Sequence, residues 1–300
     1  MFKKFYIKSS KNIKFNNQHV FYSPNKKNLD YYFNKLINNL KNKKNLRIIR
    51  LSDGEYTMLF GHKFPMFKNI SLSRYLLRIT IYFFEKLKEI LPKNKILVFN
   101  KVHAGIYNNS DINNLRNFTF KFLKDYLKND NNYLALHLSF DKKGKTFVEV
   151  FFKSIFLYFK NINVKITEKN YLPSYLIYII FNNKNFLKKI IYKKKILIIN
   201  HITKSDKKIV HEYLKKNFNC KIIDFIKIKK GRSFFSNIKV NKKYDLVLVS
   251  AGIGKFHIFN QLKNYPSKII DIGAVIEKWK NNYNYIENRP FLDYKSNLKK

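Results

Sequence analysis

The sequence predicts an α/β protein with a Rossmann-like, largely parallel sheet and helices on both faces. Three observations lead to this fold class. Short, almost purely apolar runs recur along the chain, longer segments with apolar residues at helical spacing lie between them, and turn residues follow several of the runs. Parallel strands have continuous apolar sequences because helices cover both of their faces. Strands that alternate with helices along a chain typically pair as parallel neighbours.

The first helix is predicted at residues 25–42, where apolar side chains recur every three or four positions. The later short runs are predicted as strands: LRIIRL (46–51), KILVFN (95–100), YLALHLSF (133–140), KILIIN (195–200), CKIIDFI (220–226), DLVLVS (245–250) and SKIIDIG (267–273). The run IFLYF at 155–159 fits a helix as well as a strand, so we do not count it.

The chain of 300 residues, 45% of them hydrophobic, is long enough for one large domain. We expect a single domain at 25–285, a loosely ordered basic segment at 1–24 and a basic tail at 286–300. The single cysteine, Cys220, excludes an internal disulfide framework. The longest apolar run, YLIYIIF at 175–181, is far shorter than the roughly 18 residues that cross a bilayer. We therefore expect a soluble, cytoplasmic protein.

The formal net charge of +42 suggests an acidic partner, so the kind of basic residue matters. Only seven of the 61 basic residues are arginine, whereas proteins that recognise phosphates and base edges favour arginine. The lysines are spread evenly among abundant Asn, Ile, Phe and Tyr, as an A/T-rich genome would encode. We expect no nucleic-acid partner. Peripheral contact with an anionic membrane surface, on the inner face of the membrane, remains open.

The first motif with chemical content is Arg50-Leu-Ser-Asp53-Gly54-Glu55, directly after the strand at 46–51. Two carboxylates separated by one residue can converge on one Mg²⁺ or Mn²⁺ ion and leave positions for diphosphate oxygens. Arg50 could add a charge-assisted bond to a phosphate. The alternative is structural, because Ser-Asp-Gly is also typical of a turn and of a helix N-cap.

The second motif is Ser250-Ala-Gly252-Ile-Gly254, between the strand at 245–250 and a helical pattern. Glycines in a strand-to-helix turn allow backbone amides to approach a phosphate closely. The third glycine of a dinucleotide fingerprint is absent, so alone the motif is a weak nucleotide signal. The next strand ends in Asp271 and Gly273, and Glu277 follows it.

The order of these motifs, an early R-L-S-D-G-E, a late V-S-A-G-I-G and a following D-I-G, resembles the GT-D fold glycosyltransferases. The resemblance implies that Asp53 and Glu55 form the family's D-x-E motif, which holds a divalent cation and the diphosphate of a nucleotide sugar. It also implies hexose transfer from a UDP-sugar to a glycan or glycolipid acceptor in polysaccharide or glycoprotein synthesis.

The remaining site expectations depend on this resemblance. Arg50, Gly54, Ser250, Gly252, Gly254, Asp271 and Gly273 would line the donor site. Glu277 would take the acceptor proton if the enzyme inverts. One branch of the family has histidine after D-I-G, but this chain has Ala274, so no role of that histidine transfers.

Two other interpretations remain open from sequence. The glycine turn could serve another kind of Rossmann-like nucleotide-binding enzyme. Alternatively, the charge could belong to a binding protein for nucleic acid or anionic lipid, whose binding would fall steeply with salt. His103 and His201 both follow predicted strands and could touch a ligand, but a turn or surface role is the simpler explanation.

Overall fold

The computed structural model describes residues 13–15, 18–20, 26–51, 55, 95–98, 105–136, 170–173, 175–229 and 233–281. The strands are β1 (Ile13–Phe15), β2 (Gln18–Val20), β3 (Arg47–Leu51), β4 (Lys95–Val98), β5 (Gly105–Asn108), β6 (Asn132–Leu136), β7 (Tyr171–Pro173), β8 (Lys195–Asn200), β9 (Ile222–Lys227), β10 (Leu246–Ser250) and β11 (Lys268–Asp271). The helices are α1 (Lys26–Asn42), α2 (Asn109–Tyr126), α3 (Tyr175–Asn182), α4 (Lys184–Ile191), α5 (Lys204–Phe218), α6 (Lys255–Gln261) and α7 (Val275–Asn281), with 3-10 turns at Ser233–Phe235 and Gly252–Gly254.

Seven strands form one parallel sheet in the order β7-β6-β3-β11-β10-β8-β9. Every residue of β3, β6 and β10 is buried. Because successive side chains of a strand point to opposite faces, the sheet must be covered on both. The helices pack in two groups, α2 with α6 and α3, α4, α5 and α7 with one another. This arrangement confirms the predicted α/β fold class.

The side of the sheet on which successive strands are added changes at β3. β6 and β7, which follow β3 in the chain, lie on one side of it, whereas β11, β10, β8 and β9 lie on the other. In open α/β sheets ligands bind in the crevice at the carboxyl ends of the strands, where the strand order reverses. The carboxyl ends of β3, β11 and β10 are therefore the place to look for a functional site.

Six of the predicted strands are confirmed as β3, β6, β8, β9, β10 and β11, and the predicted first helix is α1. The run at 95–100 differs, because β4 pairs antiparallel with β5 in a separate two-stranded sheet. Only residues 99–104 separate these two strands, too few for the crossover that parallel pairing requires.

Sequence reasoning missed β7, a three-residue strand that contains Pro173. Its position at the edge of the sheet explains why a proline is tolerated, since an edge residue has a free side with no ladder bond to lose. The segment 1–24, expected to be loosely held, contains the antiparallel pair β1–β2. The run at 155–159 and the tail at 286–300 lie outside the described residues.

Local sequence explains where the helices around β8 begin and end. The side chain of Asn183 accepts hydrogen bonds from the amides of Asn185 and Phe186 at the start of α4. The side chain of Thr203 accepts a hydrogen bond from the amide of Asp206 at the start of α5. After the last residue of α5, Phe218, the C-cap residue Asn219 adopts the left-handed conformation. Such caps satisfy backbone groups that have no partner inside the helix.

Two basic side chains fix the amino ends of the central strands. Arg47 of β3 donates to the carbonyls of Leu262, Lys263 and Tyr265, which lie between α6 and β11. Lys268 of β11 donates to the carbonyl of Leu40 at the end of α1. These contacts hold α1, β3 and β11 in register at the end of the sheet opposite the candidate site.

Among the described residues, no helix combines the length and the apolar character needed to cross a membrane. Cys220 is buried, and burial raises the pKa of its thiol to about 11. The thiol is therefore protonated and unreactive near neutral pH, in agreement with a packing role.

His257 lies on α6 with its ring centroid 3.8 Å from that of Phe118 on α2. Its Nδ1 atom is buried and has no hydrogen-bond partner in the part of the chain that the structure describes, and burial lowers the pKa of the imidazole below the ordinary value of 6.5. Protonation at this position would therefore place a charge between two helices that pack through aromatic rings.

The first prediction concerns the pH dependence of stability. Below pH 6.5 the unfolded chain binds a proton at His257 more readily than the folded protein does, so the free energy of unfolding should fall as the pH falls. His257→Phe should reduce this slope between pH 7 and 5 by up to about 1.4 kcal/mol per pH unit. Urea unfolding at each pH measures the free energy of unfolding from which this slope is obtained. His211→Gln, at an exposed position on α5, is the control, and an equal reduction in both variants would contradict the assignment.

Candidate functional site

The carboxyl ends of β3, β10 and β11 bring the two sequence motifs together. β3 ends beside the D-G-E motif, and β10 runs directly into the glycine turn. Backbone pairing aligns Val249 of β10 with Asp271 at the end of β11. Residues from near position 50 and from 250–273 therefore meet at the edge of the sheet that is formed by the carboxyl ends of its strands.

Lys255, the first residue after the glycine turn, is the point of contact. Its ammonium lies 2.8 Å from Oε1 of Glu55, 2.6 Å from Oδ2 of Asp271 and 2.6 Å from the carbonyl oxygen of Arg50. A lysine ammonium has three protons, so these three acceptors satisfy it completely. Glu55 is 3% exposed and Lys255 is 2% exposed, which makes this a buried ion pair.

Asp271 extends the connection between β3 and β11 beyond their backbone pairing. Its Oδ2 atom accepts from the backbone amide of Arg50 at 3.1 Å in addition to Lys255, and its Oδ1 accepts from the amide of Gly273 at 3.0 Å. Both oxygens are used within the protein, and the residue is fully buried. Asp271 was predicted to bind the donor, and this stays a prediction; the described contacts of its carboxylate are with Lys255 and with the amides of Arg50 and Gly273.

Arg50 is buried among protein groups as well. Its Nη1 donates to the carbonyl of Ile272 at 3.2 Å, and its guanidinium carbon lies 4.2 Å from the centroid of the Tyr178 ring on α3. The side chain is 2% exposed, and its Nε atom is buried without a partner. The predicted bond from Arg50 to a phosphate would require the guanidinium to leave these contacts.

The charges of the four side chains Arg50, Glu55, Lys255 and Asp271 sum to zero, so their mutual attraction can offset the cost of removing each charge from water. Burial by itself would lower the pKa of Lys255, but Asp271 and Glu55 raise it above the ordinary value. Burial likewise opposes the charge of Arg50, whereas Tyr178, Asp271 and Glu55 raise its pKa. Both cations therefore stay charged at neutral pH.

The glycine turn is held by the protein on two sides. Gly252 has a φ of 54°, a conformation that favours glycine. The amide of Gly254 donates to the carbonyl of Ala251, so a bond from this amide to a phosphate would compete with the turn. A β-carbon on Gly254 would lie 2.5 Å from the backbone carbon of Ser233, and the Ser233 hydroxyl donates to Ala251. Gly254 therefore permits close packing between the two 3-10 turns.

Ser250 and Asn200 lie side by side at the ends of β10 and β8. The side-chain nitrogen of Asn200, Nδ2, donates to the carbonyl of Ser250 at 3.0 Å, while its side-chain oxygen is buried and has no hydrogen-bond partner among the described residues. The pair extends the polar edge from β11 across β10 to β8. His201 follows Asn200 and is partly buried, whereas His103 lies outside the described residues.

Glu277, the predicted base, lies in the first turn of α7. Its two carboxylate oxygens are 3.1 and 3.3 Å from the ammonium of Lys280, which also lies 3.1 Å from Asp206 of α5. The side chain of Glu277 is 37% exposed, so it remains open to solvent. Glu277 therefore pairs with Lys280 rather than with the buried charge cluster.

The sequence motif that would hold a divalent cation at this edge is the D-x-E pair. Asp53 and Gly54 lie outside the described residues, and the oxygens of Asp271 are already occupied. Within the described ranges no group of three or more His, Cys, Asp or Glu side chains could hold a metal. Mg²⁺ commonly uses one or two carboxylates together with substrate phosphates, so Glu55 with Asp53 would be a sufficient protein contribution.

Sequence reasoning missed Lys255, Tyr178 and Ser233. Lys255 is one of many lysines, and composition gives no reason to select it. Its position immediately after a strand-to-helix glycine turn was the one available signal. Tyr178 and Ser233 lie in segments whose sequence carries no site motif, and only tertiary packing brings them to Arg50 and Gly254.

The second prediction follows from the contact between Gly273 and Arg50. Gly273 has a φ of 51°, and a β-carbon there would lie 2.5 Å from Nη1 of Arg50. Gly273→Ala should destabilise the protein by about 1–2 kcal/mol for the backbone conformation and by about 1–3 kcal/mol more for the collision.

Urea unfolding of Gly273→Ala beside Gly252→Ala separates the two costs, because Gly252 shares the positive φ in a different turn, whereas Gly273 is the glycine that lies against Arg50 among the contacts described here. Equal destabilisation in both variants would mean that Arg50 moves aside freely, contrary to its description as a fixed part of the cluster.

Comparison with known proteins gives one match. Residues 144–279 match the family model described as a GT-D fold-like domain. The matched segment contains β7 to β11, the glycine turn, Lys255 and Asp271, and it begins after Arg50 and Glu55. No curated protein and no solved structure matches the chain. The later part of this chain, residues 144–279, is therefore similar to a GT-D-like domain, which confirms the resemblance to the GT-D fold glycosyltransferases.

Proposed function

We propose that this protein is a metal-dependent glycosyltransferase that moves a hexose from a nucleotide sugar, in particular a UDP-sugar, to a hydroxyl of a glycan or glycolipid acceptor. The product would enter surface polysaccharide or glycoprotein. The GT-D-like domain supports a transferase of the glycosyltransferase type. The finer assignment depends on the geometry of the candidate site.

One observation carries the proposal. Glu55 of the early motif touches Lys255, the residue that follows the late glycine turn, at 2.8 Å. The two motifs that the resemblance assigns to one donor site are thus adjacent at the carboxyl ends of central parallel strands, where α/β proteins bind nucleotides.

In this proposal Asp53 and Glu55 hold Mn²⁺ or Mg²⁺, which would neutralise the charge that develops on the leaving diphosphate. Ser250 and Gly252, at the end of β10, face the donor. Arg50, Asp271 and Gly273 act behind these groups, because their contacts fix Lys255 and the ends of β3 and β11. Gly54 allows the backbone of the early motif to approach the diphosphate.

In an inverting reaction, the acceptor hydroxyl oxygen forms a bond to the anomeric carbon as the bond from that carbon to the diphosphate oxygen breaks. The acceptor proton passes to a carboxylate, and the nucleoside diphosphate leaves. Glu277 is the proposed base because it is accessible and follows the end of β11. For this role it must exchange Lys280 for the acceptor hydroxyl.

The third prediction tests the donor chemistry. Wild-type protein incubated with Mn²⁺ and UDP-, GDP- or CMP-sugars should release nucleotide from one class of donor, and a chelator should stop the release. Asp53→Ala and Glu55→Gln should each reduce the rate roughly a thousandfold, since a cation contributes several kcal/mol to the stabilisation of such a transition state.

Circular dichroism on both variants serves as the folding control, because Glu55 also pairs with Lys255. Asp125→Asn changes an exposed carboxylate on α2 that pairs with Lys128, and it should keep metal-dependent release. Release that persists in Asp53→Ala, or wild-type protein that cleaves no sugar nucleotide, would rule out the proposed reaction.

We also propose that the protein works at an anionic membrane surface, where glycolipid acceptors are found. Phe235 is 57% exposed in the turn Ser233–Phe235, and the backbone amide of the exposed Lys229 donates to the hydroxyl of Ser236, the residue after this turn. This turn packs against the glycine turn and α6, so the exposed ring lies beside the candidate site. A net charge of +42 adds long-range attraction to anionic lipid.

The fourth prediction is measured by sedimentation with phosphatidylserine-containing vesicles. Vesicle binding should fall steeply between about 50 and 300 mM salt, because salt in this range screens the interactions between exposed charges. Phe235→Ser should weaken binding roughly tenfold, the effect of removing one apolar insertion of about 1.5 kcal/mol. The control is Ile209→Ser, which replaces an exposed apolar side chain elsewhere, on α5, and should leave vesicle binding unchanged. Equal losses in both variants would contradict the assigned surface.

A further inference from the structure

The ammonium of Lys255 already occupies the place of a cation at this edge of the sheet. It lies between a carboxylate of the early motif, Glu55, and a carboxylate of the last strand, Asp271. All three of its protons have acceptors, and the side chain is buried. A positive charge held this rigidly in a poorly solvated place acts strongly on any other cation that approaches Glu55.

We propose that Lys255 competes with the divalent cation for Glu55, and so sets how tightly the protein binds that cation. This inference rests on the proposed function for its place in the reaction, since it concerns the same D-x-E site. Lys255 is a positioning residue, because it acts through Glu55 and does not touch the donor.

The contacts of Lys255 allow such an exchange without loss of the fold. When a metal ion draws Glu55 away, Lys255 keeps its bonds to Oδ2 of Asp271 and to the carbonyl of Arg50, both at 2.6 Å. Asp271 in turn keeps the amides of Arg50 and Gly273. Among the described contacts of Lys255, the one with Glu55 has to change, so the competition is local to this pair.

A second lysine of the chain shows what distinguishes Lys255. Lys280 also bridges two carboxylates, those of Asp206 and Glu277, at 3.1 Å. Those acids are 23% and 37% exposed, so water screens the group. Glu55 and Asp271 are shielded from water, and a change in the charge of their partner must alter cation affinity far more.

The fifth prediction compares Mn²⁺ binding, counted from the electron paramagnetic resonance signal of free Mn²⁺, in the full-length wild type and in Lys255→Met. The variant keeps the length of the side chain and loses its charge. We expect its Mn²⁺ affinity to rise at least tenfold, roughly the effect of removing one buried positive neighbour. Its Tm should fall in EDTA and recover with Mn²⁺, whereas a structural role alone would lower the Tm and leave Mn²⁺ affinity unchanged.

Three further variants sharpen the comparison. Lys255→Arg retains the charge and should keep the wild-type affinity. The double variant Glu55→Gln, Lys255→Met should not show the gain in Mn²⁺ affinity that is expected for Lys255→Met alone. Lys268→Met, at the opposite end of β11, removes a partly buried lysine that binds the carbonyl of Leu40, and it should leave Mn²⁺ affinity unchanged. Affinity in Lys255→Met that equals or falls below that of wild type would overturn the inference.

If Lys255→Met does not fold, Lys255→Gln, which keeps hydrogen-bond donors, takes its place. Wild-type protein supplies an independent test: in a Mg²⁺ titration followed by NMR of labelled lysine ammonium groups, the Lys255 signal should shift, and a signal unchanged at saturation would overturn the proposal. Nucleotide release by the wild type is scored separately. A protein that gains Mn²⁺ affinity in Lys255→Met but cleaves no sugar nucleotide would refute the proposed function and leave this inference standing.

Discussion

The buried contact between Lys255 and three partners holds the functional edge of this protein together. One ammonium binds the early acidic motif through Glu55, the last parallel strand through Asp271, and the end of β3 through the carbonyl of Arg50. Removing one partner from a buried ion pair typically costs about 3–5 kcal/mol, because the remaining charge has no water to replace it. The four charges therefore stabilise one another, and their attraction offsets the cost of burying them.

The rest of the fold supplies the conditions for this contact. The order β6-β3-β11-β10 places the ends of β3 and β11 side by side, while Arg47 and Lys268 hold the amino ends of the same two strands. The positive φ of Gly273 brings the backbone against the guanidinium of Arg50, and the missing side chain of Gly254 lets the turn at Ser233–Phe235 close over the glycine turn. Two glycines that sequence reasoning linked to phosphate thus have structural reasons to be glycine.

The fold was predictable because its main strands are buried on both faces and are therefore apolar throughout, as in RIIRL and LVLVS. The same signal misplaced the strand at 95–98, since apolarity does not distinguish a hairpin from a parallel pair. The meeting of the two motifs followed from their positions at strand ends. The partner of Glu55 did not, because nothing in a lysine-rich sequence marks Lys255, and burial of a charged side chain is decided by tertiary contacts. The family match likewise covers the later motif and not the earlier one.

The central claim is that Glu55 and Lys255 are energetically coupled across the fold, and a double-mutant cycle tests it most directly. The free energy of unfolding in urea is measured for wild type, Glu55→Gln, Lys255→Met and the double variant. Partners in one buried ion pair should show a coupling of about 1–3 kcal/mol. Additive effects, with a coupling near zero, would contradict the claim, because the early acidic motif and the late glycine turn would then not share a site.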